Sequence, residues 1–299
     1  MNDQTDQTDK TDQTDQTDQT IAILHPGEMG AAIAASLTAR GVRTVWASAG
    51  RSGATGARAA QITDLGTLAA VVGAADVIVS VCPPHGALAL AREVAGLGFT
   101  GVYIDANAIA PATTRLAEAA ILANRGARFV DGGIIGPPPV KPGTTRLYLS
   151  GAAAAEAAAW LDGEPLAAIA LDGPVGAASA LKVCYAAWSK GAIALLGTIR
   201  AFAHHEKVDA ALLAEWDRSS PGTAKRSEAI AGAAHKAWRW IAEMVEIAVS
   251  LEAARLPGGF HRAAADLYRS LEVCKDLREA PSIEAIVRQL LVERIGVTR

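Results

Sequence analysis

The 299-residue chain has few cysteines, few aromatics and little net charge, and each shortage excludes a class of protein. Its three cysteines, Cys82, Cys184 and Cys274, are odd in number and far apart. They offer neither a disulfide framework nor the paired spacing of a zinc site, and they suit a reducing cytoplasm. No apolar run reaches the roughly 20 residues that cross a bilayer, so no membrane association is expected. The net charge of −3 comes without a basic stripe, which argues against nucleic acid. The amino terminus is polar and acidic, unlike a secretory signal. His204 and His205 point different ways on a helix, so with Glu206 they make no metal site.

What remains is 51% hydrophobic and long enough for two domains. Residues 3–20 are six Asp-Gln/Lys-Thr triplets with no apolar side chain. Burial cannot offset their ordering entropy, so residues 1–20 are expected to form a disordered tail. From residue 21, short Val- and Ile-rich runs alternate with Ala-rich stretches. The strands expected are 21–24, 43–47, 76–81, 101–105, 127–130 and 146–149. The helices are 29–40, 87–95, 112–123 and 152–161. Short strands apolar on both sides belong to parallel sheets covered on both faces. The fold class is therefore α/β, a Rossmann-type doubly wound sheet over residues 21–172, with a departure from parallel order near 146–149. Past Pro174 the period becomes helical. One helix runs over 175–206, and later breaks fall at Pro221-Gly222, Pro257-Gly258-Gly259 and Pro281. Residues 173–299 are thus expected to be an all-helical domain that includes the long interdomain helix.

The run 21–37 reads strand, glycine turn, helix. In His25-Pro26-Gly27-Glu28-Met29-Gly30 the first glycine of G-x-G-x-x-G is absent. Gly27 remains where the backbone would meet a pyrophosphate, and Gly30 where helix and strand pack closely. Gly27, Glu28, Met29 and Gly30 are the candidate cofactor turn. About 20 residues on, an acid commonly marks NAD, but none occurs between Val42 and Gln61. Ser48, Arg51 and Ser52 stand there instead. Arg51 offers a planar fork for a 2′-phosphate, so NADP is expected over NAD.

Further landmarks follow in order: Val81-Cys82-Pro83-Pro84, Asp105-Ala106-Asn107, Asp131-Gly132-Gly133-Ile134-Ile135-Gly136, Gly143-Thr144, and Gly176 six residues before Lys182. Together they resemble the β-hydroxyacid dehydrogenase family, relatives of phosphogluconate and 3-hydroxyisobutyrate dehydrogenases and of imine reductases. The segment around Leu256-Pro257-Gly258-Gly259 resembles a subgroup with a short helical C-terminal domain of unassigned function. The resemblance implies that Cys82, Pro83, Pro84 and Asn107 flank the nicotinamide. It also implies that Lys182 exchanges a proton with the substrate oxygen. A lysine can do this if burial lowers its proton affinity. Tyr185, one turn on, is a second candidate donor.

Three departures from the family bear on substrate. Ala186 stands where asparagine is frequent. Ile134-Ile135-Gly136-Pro137 replaces a substrate-binding Ser-Gly-Gly. Glu243 and Glu246 occupy the region of a Lys-Asp pair. Ile135, Gly136 and Trp188 are the expected substrate contacts, and a ligand bulkier and less anionic than a small carboxylate would suit them. Cys82 is expected to pack by the cofactor, and His85 and His261 are further residues that could face the cleft. The implied activity is NADP-dependent hydride transfer with a hydroxyl or carbonyl compound. Imine reduction and a non-catalytic NADP(H) sensor are the alternatives. A homodimer through the helical domain, with Trp238 and Trp240 in need of cover, is the expected assembly.

Overall fold

The computed structural model describes residues 19–275, 277 and 279–292. The repeat tail up to residue 18 lies outside them. Its last triplet does not belong to a tail, because Thr20 opens the first strand and is buried. Its N–H donates to Asp76 Oδ2 at 2.9 Å, tying the chain entry to the base of a neighbouring strand.

Eight strands form one sheet: β1 (Thr20–Leu24), β2 (Arg43–Trp46), β3 (Thr63–Asp64), β4 (Val77–Ser80), β5 (Val102–Asp105), β6 (Arg128–Ile135), β7 (Thr145–Ser150) and β8 (Leu166–Ala170). Their order is β3-β2-β1-β4-β5-β6-β7-β8, and every pair is parallel except β6 with β7. The order reverses between β1 and β4, which opens a crevice at their carboxyl ends. Helices α1 (Glu28–Ala39), α2 (Gly53–Arg58), α3 (Leu68–Ala74), α4 (Ala87–Gly96), α5 (Pro111–Leu122) and α6 (Ala154–Leu161) make the crossovers and cover. Two apolar layers result. Ile21, Ile23, Val77, Val79 and Ile104 face Ile33 and Leu37 on one side. Ala22, Ile78 and Tyr103 face Val71, Leu90 and Ile121 on the other.

The chain then becomes helical: α7 (Ala177–His205), α8 (Asp209–Ser219), α9 (Thr223–Ser227), α10 (Ala229–Ala233), α11 (Trp240–Ala253), α12 (Gly259–Arg269) and α13 (Ile283–Val292). Breaks fall at Pro221-Gly222, Pro257-Gly258 and Pro281, and further ones fall at 206–208, 228 and 234–239, where no proline or glycine marks them. α7 packs on α11, α12 and α13 around a third core containing Ala194, Ile230, Met244, Ile247 and Tyr268. Small residues allow the close approach. A Cβ on Gly197 would lie 2.3 Å from Ile230, and one on Gly191 3.1 Å from Phe260.

The seating of α7 on the sheet positions the site. Its N-terminal residue Gly176 has no side chain to cap the helix. Buried Asp131 of β6 does so from a distance. Its Oδ2 accepts from the N–H groups of Gly176 and Ser179 at 2.9 and 3.0 Å, and its Oδ1 accepts from Ser179 Oγ at 2.5 Å. A carboxylate there satisfies orphan donors and complements the helix dipole. Two residues along β6, a Cβ on Gly133 would lie 2.5 Å from Ala178 O, so glycine is required for helix and strand to touch. The segment Asp131-Gly132-Gly133 therefore continues β6 rather than ending it at residue 130.

Candidate active site

At the crevice, β1 ends in Leu24 and α1 begins at Glu28. His25 stands where the first glycine is absent, with φ +63°. It therefore adopts the left-handed conformation that a glycine would take without strain. Its carbonyl accepts from Gly27 N at 2.7 Å, which tightens the turn. A Cβ on Gly30 would lie 2.9 Å from His25 O, whereas one on Gly27 would meet nothing closer than 4.0 Å. Gly30 is closed by packing, and Gly27 leaves room for a ligand. That is the shape a dinucleotide diphosphate needs at a helix start. His25 has its proton affinity lowered to about 4 by burial and by the Arg51 charge, and its buried Nδ1 has no protein partner.

Beside the turn, Ser48, Arg51 and Ser52 line a cleft of about 400 Å³ past the end of β2. Arg51 and Ser52 are exposed, and Ser52 Oγ caps α2 at Thr55 N. The cleft also holds an acid that the reading of residues 42–61 did not reach. Parallel pairing sets Asp64 of β3 against Trp46 of β2. Asp64 Oδ1 accepts from Ser48 N at 3.1 Å and Gly66 N at 2.8 Å. Bonds from Ser48 and Gly66 hold this carboxyl below its ordinary range. The cleft thus presents an arginine and a carboxylate together.

At the other end of the crevice, Asn107 braces two strands. Its Oδ1 accepts from Cys82 N at 2.6 Å, and its Nδ2 donates to Ser80 Oγ at 3.0 Å and Asp105 Oδ1 at 2.8 Å. Both amide hydrogens are spent within the protein, so Asn107 shapes this end of the crevice and has no free amide donor to offer a ligand. Asp105 is fully buried. Burial raises its carboxyl to about 6 against the opposing bonds from Asn107, and its Oδ2 has no partner. Burial and Asp105 push the Cys82 thiol up to about 11, so it stays protonated at neutral pH. Pro83 and Pro84 follow at the rim, where residues 84–86 make a single 3-10 turn, and His85 there is exposed.

Lys182 lies one and a half turns into α7. It is half-buried, and Nζ donates to Ile134 O of β6 at 3.0 Å. The pocket around it is lined by Ala108 and Ile109 of the β5–α5 loop, by Val183 and Ala186, and by Glu243, Glu246 and Ile247 of α11. Burial lowers its proton affinity, Glu243 opposes that and Lys190 reinforces it. Glu243 is itself paired with Lys190, which also lies 5.3 Å from the Trp240 ring centre. Glu246 Oε2 accepts from Ala110 N at 2.9 Å, tying α11 to the start of α5. These carboxylates are invisible to a search of the sequence around Lys182, since α11 delivers them from about 60 residues away.

Other expected contacts fall elsewhere. Tyr185 and Trp188 are 50% and 67% exposed and do not line the Lys182 pocket, despite helical spacing that suggested a shared face. Ile135 is buried in β6 beside the lysine's acceptor. Gly136, with φ +126°, begins the hairpin to β7, and a Cβ there would lie 2.3 Å from Thr144 O. Pro137, next in line, has no N–H to offer a ligand. His261 is buried against α7, where Nε2 meets Ala187 O at 3.3 Å. Among the described residues no group of three or more His, Cys, Asp or Glu could hold a metal ion. None of their helices is long and apolar enough to cross a membrane.

A crevice at the sheet reversal, a glycine turn at a helix start and a half-buried lysine where the helices meet the sheet are the features of a Rossmann-type dinucleotide-binding fold. Residues 20–161 match the NAD binding domain of 6-phosphogluconate dehydrogenase, and residues 203–271 match a domain of unknown function, DUF1932. A conserved hypothetical protein of Sinorhizobium meliloti is 28% identical, with a TM-score of 0.70 over 93% of this chain and 97% of its own. The conserved protein MTH1747, of unknown function and described as similar in structure to 3-hydroxyacid dehydrogenases, is 25% identical with a TM-score of 0.67, covering 86% and 99%. The 3-hydroxyisobutyrate dehydrogenase of Mycobacterium tuberculosis shares the fold at 18% identity, with a TM-score of 0.68 over 91% and 99%. No curated protein matches the chain in sequence.

Proposed function

We propose that the protein is an NADP-dependent oxidoreductase acting on a hydroxyl or carbonyl compound, with Lys182 as the proton carrier. The carrying observation is the placement of the Lys182 amine: bonded to Ile134 O, next to the loop 105–110 that follows β5. Bound nicotinamide supplies or accepts the hydride. In the oxidising direction the neutral amine takes the hydroxyl proton, and in the reducing direction the ammonium returns it to the carbonyl oxygen. Burial lowers the amine's proton affinity, the direction a general acid–base at neutral pH needs. Ile134 O holds the amine on one side and leaves its remaining valences for the substrate.

The substrate we propose is uncharged beside its reactive carbon. Ile135 brings no hydroxyl and Pro137 no N–H where a carboxylate would need donors. Lys190 is committed to Glu243, and the pocket presents two carboxylates. An anionic group there would be desolvated without a partner.

NADP rather than NAD rests on Arg51, Ser48 and Ser52 in the cleft past β2, with Asp64 as the opposing charge. A homodimer through the helical domain is also proposed, on α7 rather than on Trp238 and Trp240. Trp240 packs edge-on against Tyr268, and Trp238 lies under Lys275 and Arg239, so both already have cover. The uncovered apolar surface is on α7. Trp188, Leu195 and Phe202 recur every seven residues, as do Tyr185, Ala192 and Ile199, and the large side chains among them are mostly exposed. This is the seam spacing of two packed helices, running about 26 Å.

The test is hydride transfer from NADPH to a panel of neutral ketones and their carboxylate analogues. Lys182→Ala is expected to abolish turnover and keep NADPH affinity within about two-fold, as loss of a group acting in the transition state does. Equal loss of turnover and affinity would refute the role. Binding of NADPH with no transfer to any member of the panel would leave a sensor.

A further inference from the structure

The helical domain reaches the mouth of the glycine turn. Arg239 ends a 3-10 turn, Ala234–Arg239, immediately before α11. Its Nη1 donates to Glu28 Oε2 at 3.0 Å and its Nη2 to Glu28 Oε1 at 3.4 Å. Glu28 is the first residue of α1, directly after Gly27. The guanidinium is also 5.3 Å from the Trp238 ring centre, which limits its sideways freedom. Both members of the pair are more than half exposed. As a tie between domains such a pair is worth little.

Its position says more than its strength. Two other arginines bear on the same corner: Arg58 on Glu28 and Arg51 on His25. The Glu28 carboxylate is thus paired with Arg239 and under the charge of Arg58, with Arg51 acting on the neighbouring His25, beside Gly27, where an added Cβ would meet nothing closer than 4.0 Å. A guanidinium fork fits a carboxylate and a phosphate equally well, and a diphosphate carries more charge. Glu28 and a diphosphate at the same helix start would repel each other, and Arg239 is the cation between them.

We propose that Arg239 is a cofactor-binding residue lent by the helical domain, held by Glu28 in the free protein and transferred to the diphosphate when the dinucleotide binds. This rests on the cofactor assignment made above. It makes occupancy of the crevice exchange a direct contact between the domains for one that runs through the ligand.

The experiment is titration of the full chain with NADPH, followed by nicotinamide fluorescence, together with thermal unfolding of the ligand-free protein. Arg239→Met keeps the stem over Trp238 and removes the fork. It is expected to raise Kd about three- to ten-fold, the range for an exposed charge-assisted bond, and to flatten the salt dependence. Arg239→Lys should fall between. Glu28→Gln should leave Kd equal or lower, since it removes the competitor. Both Arg239→Met and Glu28→Gln break the same ion pair, so their ligand-free melting temperatures should shift alike while their Kd values diverge. Unchanged Kd in Arg239→Met, or an equal rise in Glu28→Gln, would overturn the proposal and leave the pair a simple tie. Failure of the wild type to bind NADPH would instead overturn the cofactor assignment itself.

Discussion

Replacing His25 by asparagine isolates one titration inside the dinucleotide turn. Asparagine enters the left-handed region more readily than most residues and does not titrate, so the turn keeps its shape. In the folded chain the imidazole titrates at about 4, against 6.5 in the unfolded one. Below pH 6.5 the unfolded chain takes a proton that the folded chain refuses. Stability is therefore complete above pH 6.5 and is lost as pH falls toward 4. Integrated to pH 5, the loss is about 2 kcal/mol, and about 1 kcal/mol after discounting for the ring's partial exposure. Asp105 acts in the opposite sense. Its folded value of about 6 lies above the ordinary 3.8. The folded chain gains a proton first, so stability rises by about 1 kcal/mol as pH falls to 5. In the wild type the two nearly cancel. In His25→Asn only the gain remains, and its melting temperature should climb on the wild type by about 2–4 °C between pH 7.5 and pH 5. Asp105→Asn should lose ground by a similar amount. Circular dichroism melts across that pH range measure both. A His25→Asn difference that stays flat with pH, or variants that move in the same direction, would refute the reasoning.

Asp64→Asn keeps the acceptor for Ser48 N and Gly66 N and removes the charge beside Arg51. The ratio of NADH to NADPH dissociation constants should rise by about three-fold or more, the scale of one partly screened charge; an unchanged ratio would place the 2′-phosphate elsewhere. A Trp188→Glu, Phe202→Glu double variant puts two carboxylates into the proposed α7 seam. Sedimentation velocity should show the monomer mass with helical content intact, and a mass equal to wild type would remove α7 from the interface.

The alternation of the first 170 residues was legible because the apolar residues that make each strand are contiguous in sequence. The elements missed are those without that signal. β3 has two residues, both exposed, and α2 buries none of its six. β8, only half covered, reads as loop. β6 runs five residues past Val130 because Gly132 and Gly133 resemble a turn in sequence. In the fold they are where α7 and the β5 loop touch the strand: a Cβ on Gly132 would lie 3.0 Å from Asp105 O. Glycine demanded by contact and glycine demanded by a turn look identical until the partner is known.

The candidate site divides on the same line. The turn at Gly27 and Gly30 and the lysine at 182 could be located because their motifs are local. Their charge partners have no local motif, because tertiary packing supplies each of them, and only the family resemblance pointed to Glu243 and Glu246. Asp64 arrives through a parallel pairing, Glu243 and Glu246 through α11, and Arg239 through the turn before it. This matters for specificity more than for chemistry. A local motif states that hydride and proton can be moved, and the distant charges decide which molecule can approach. In this chain those charges are two carboxylates at the lysine and an arginine at the diphosphate turn. Under the proposed function, the pocket opposes an anionic substrate, while the crevice beside it draws an anionic cofactor.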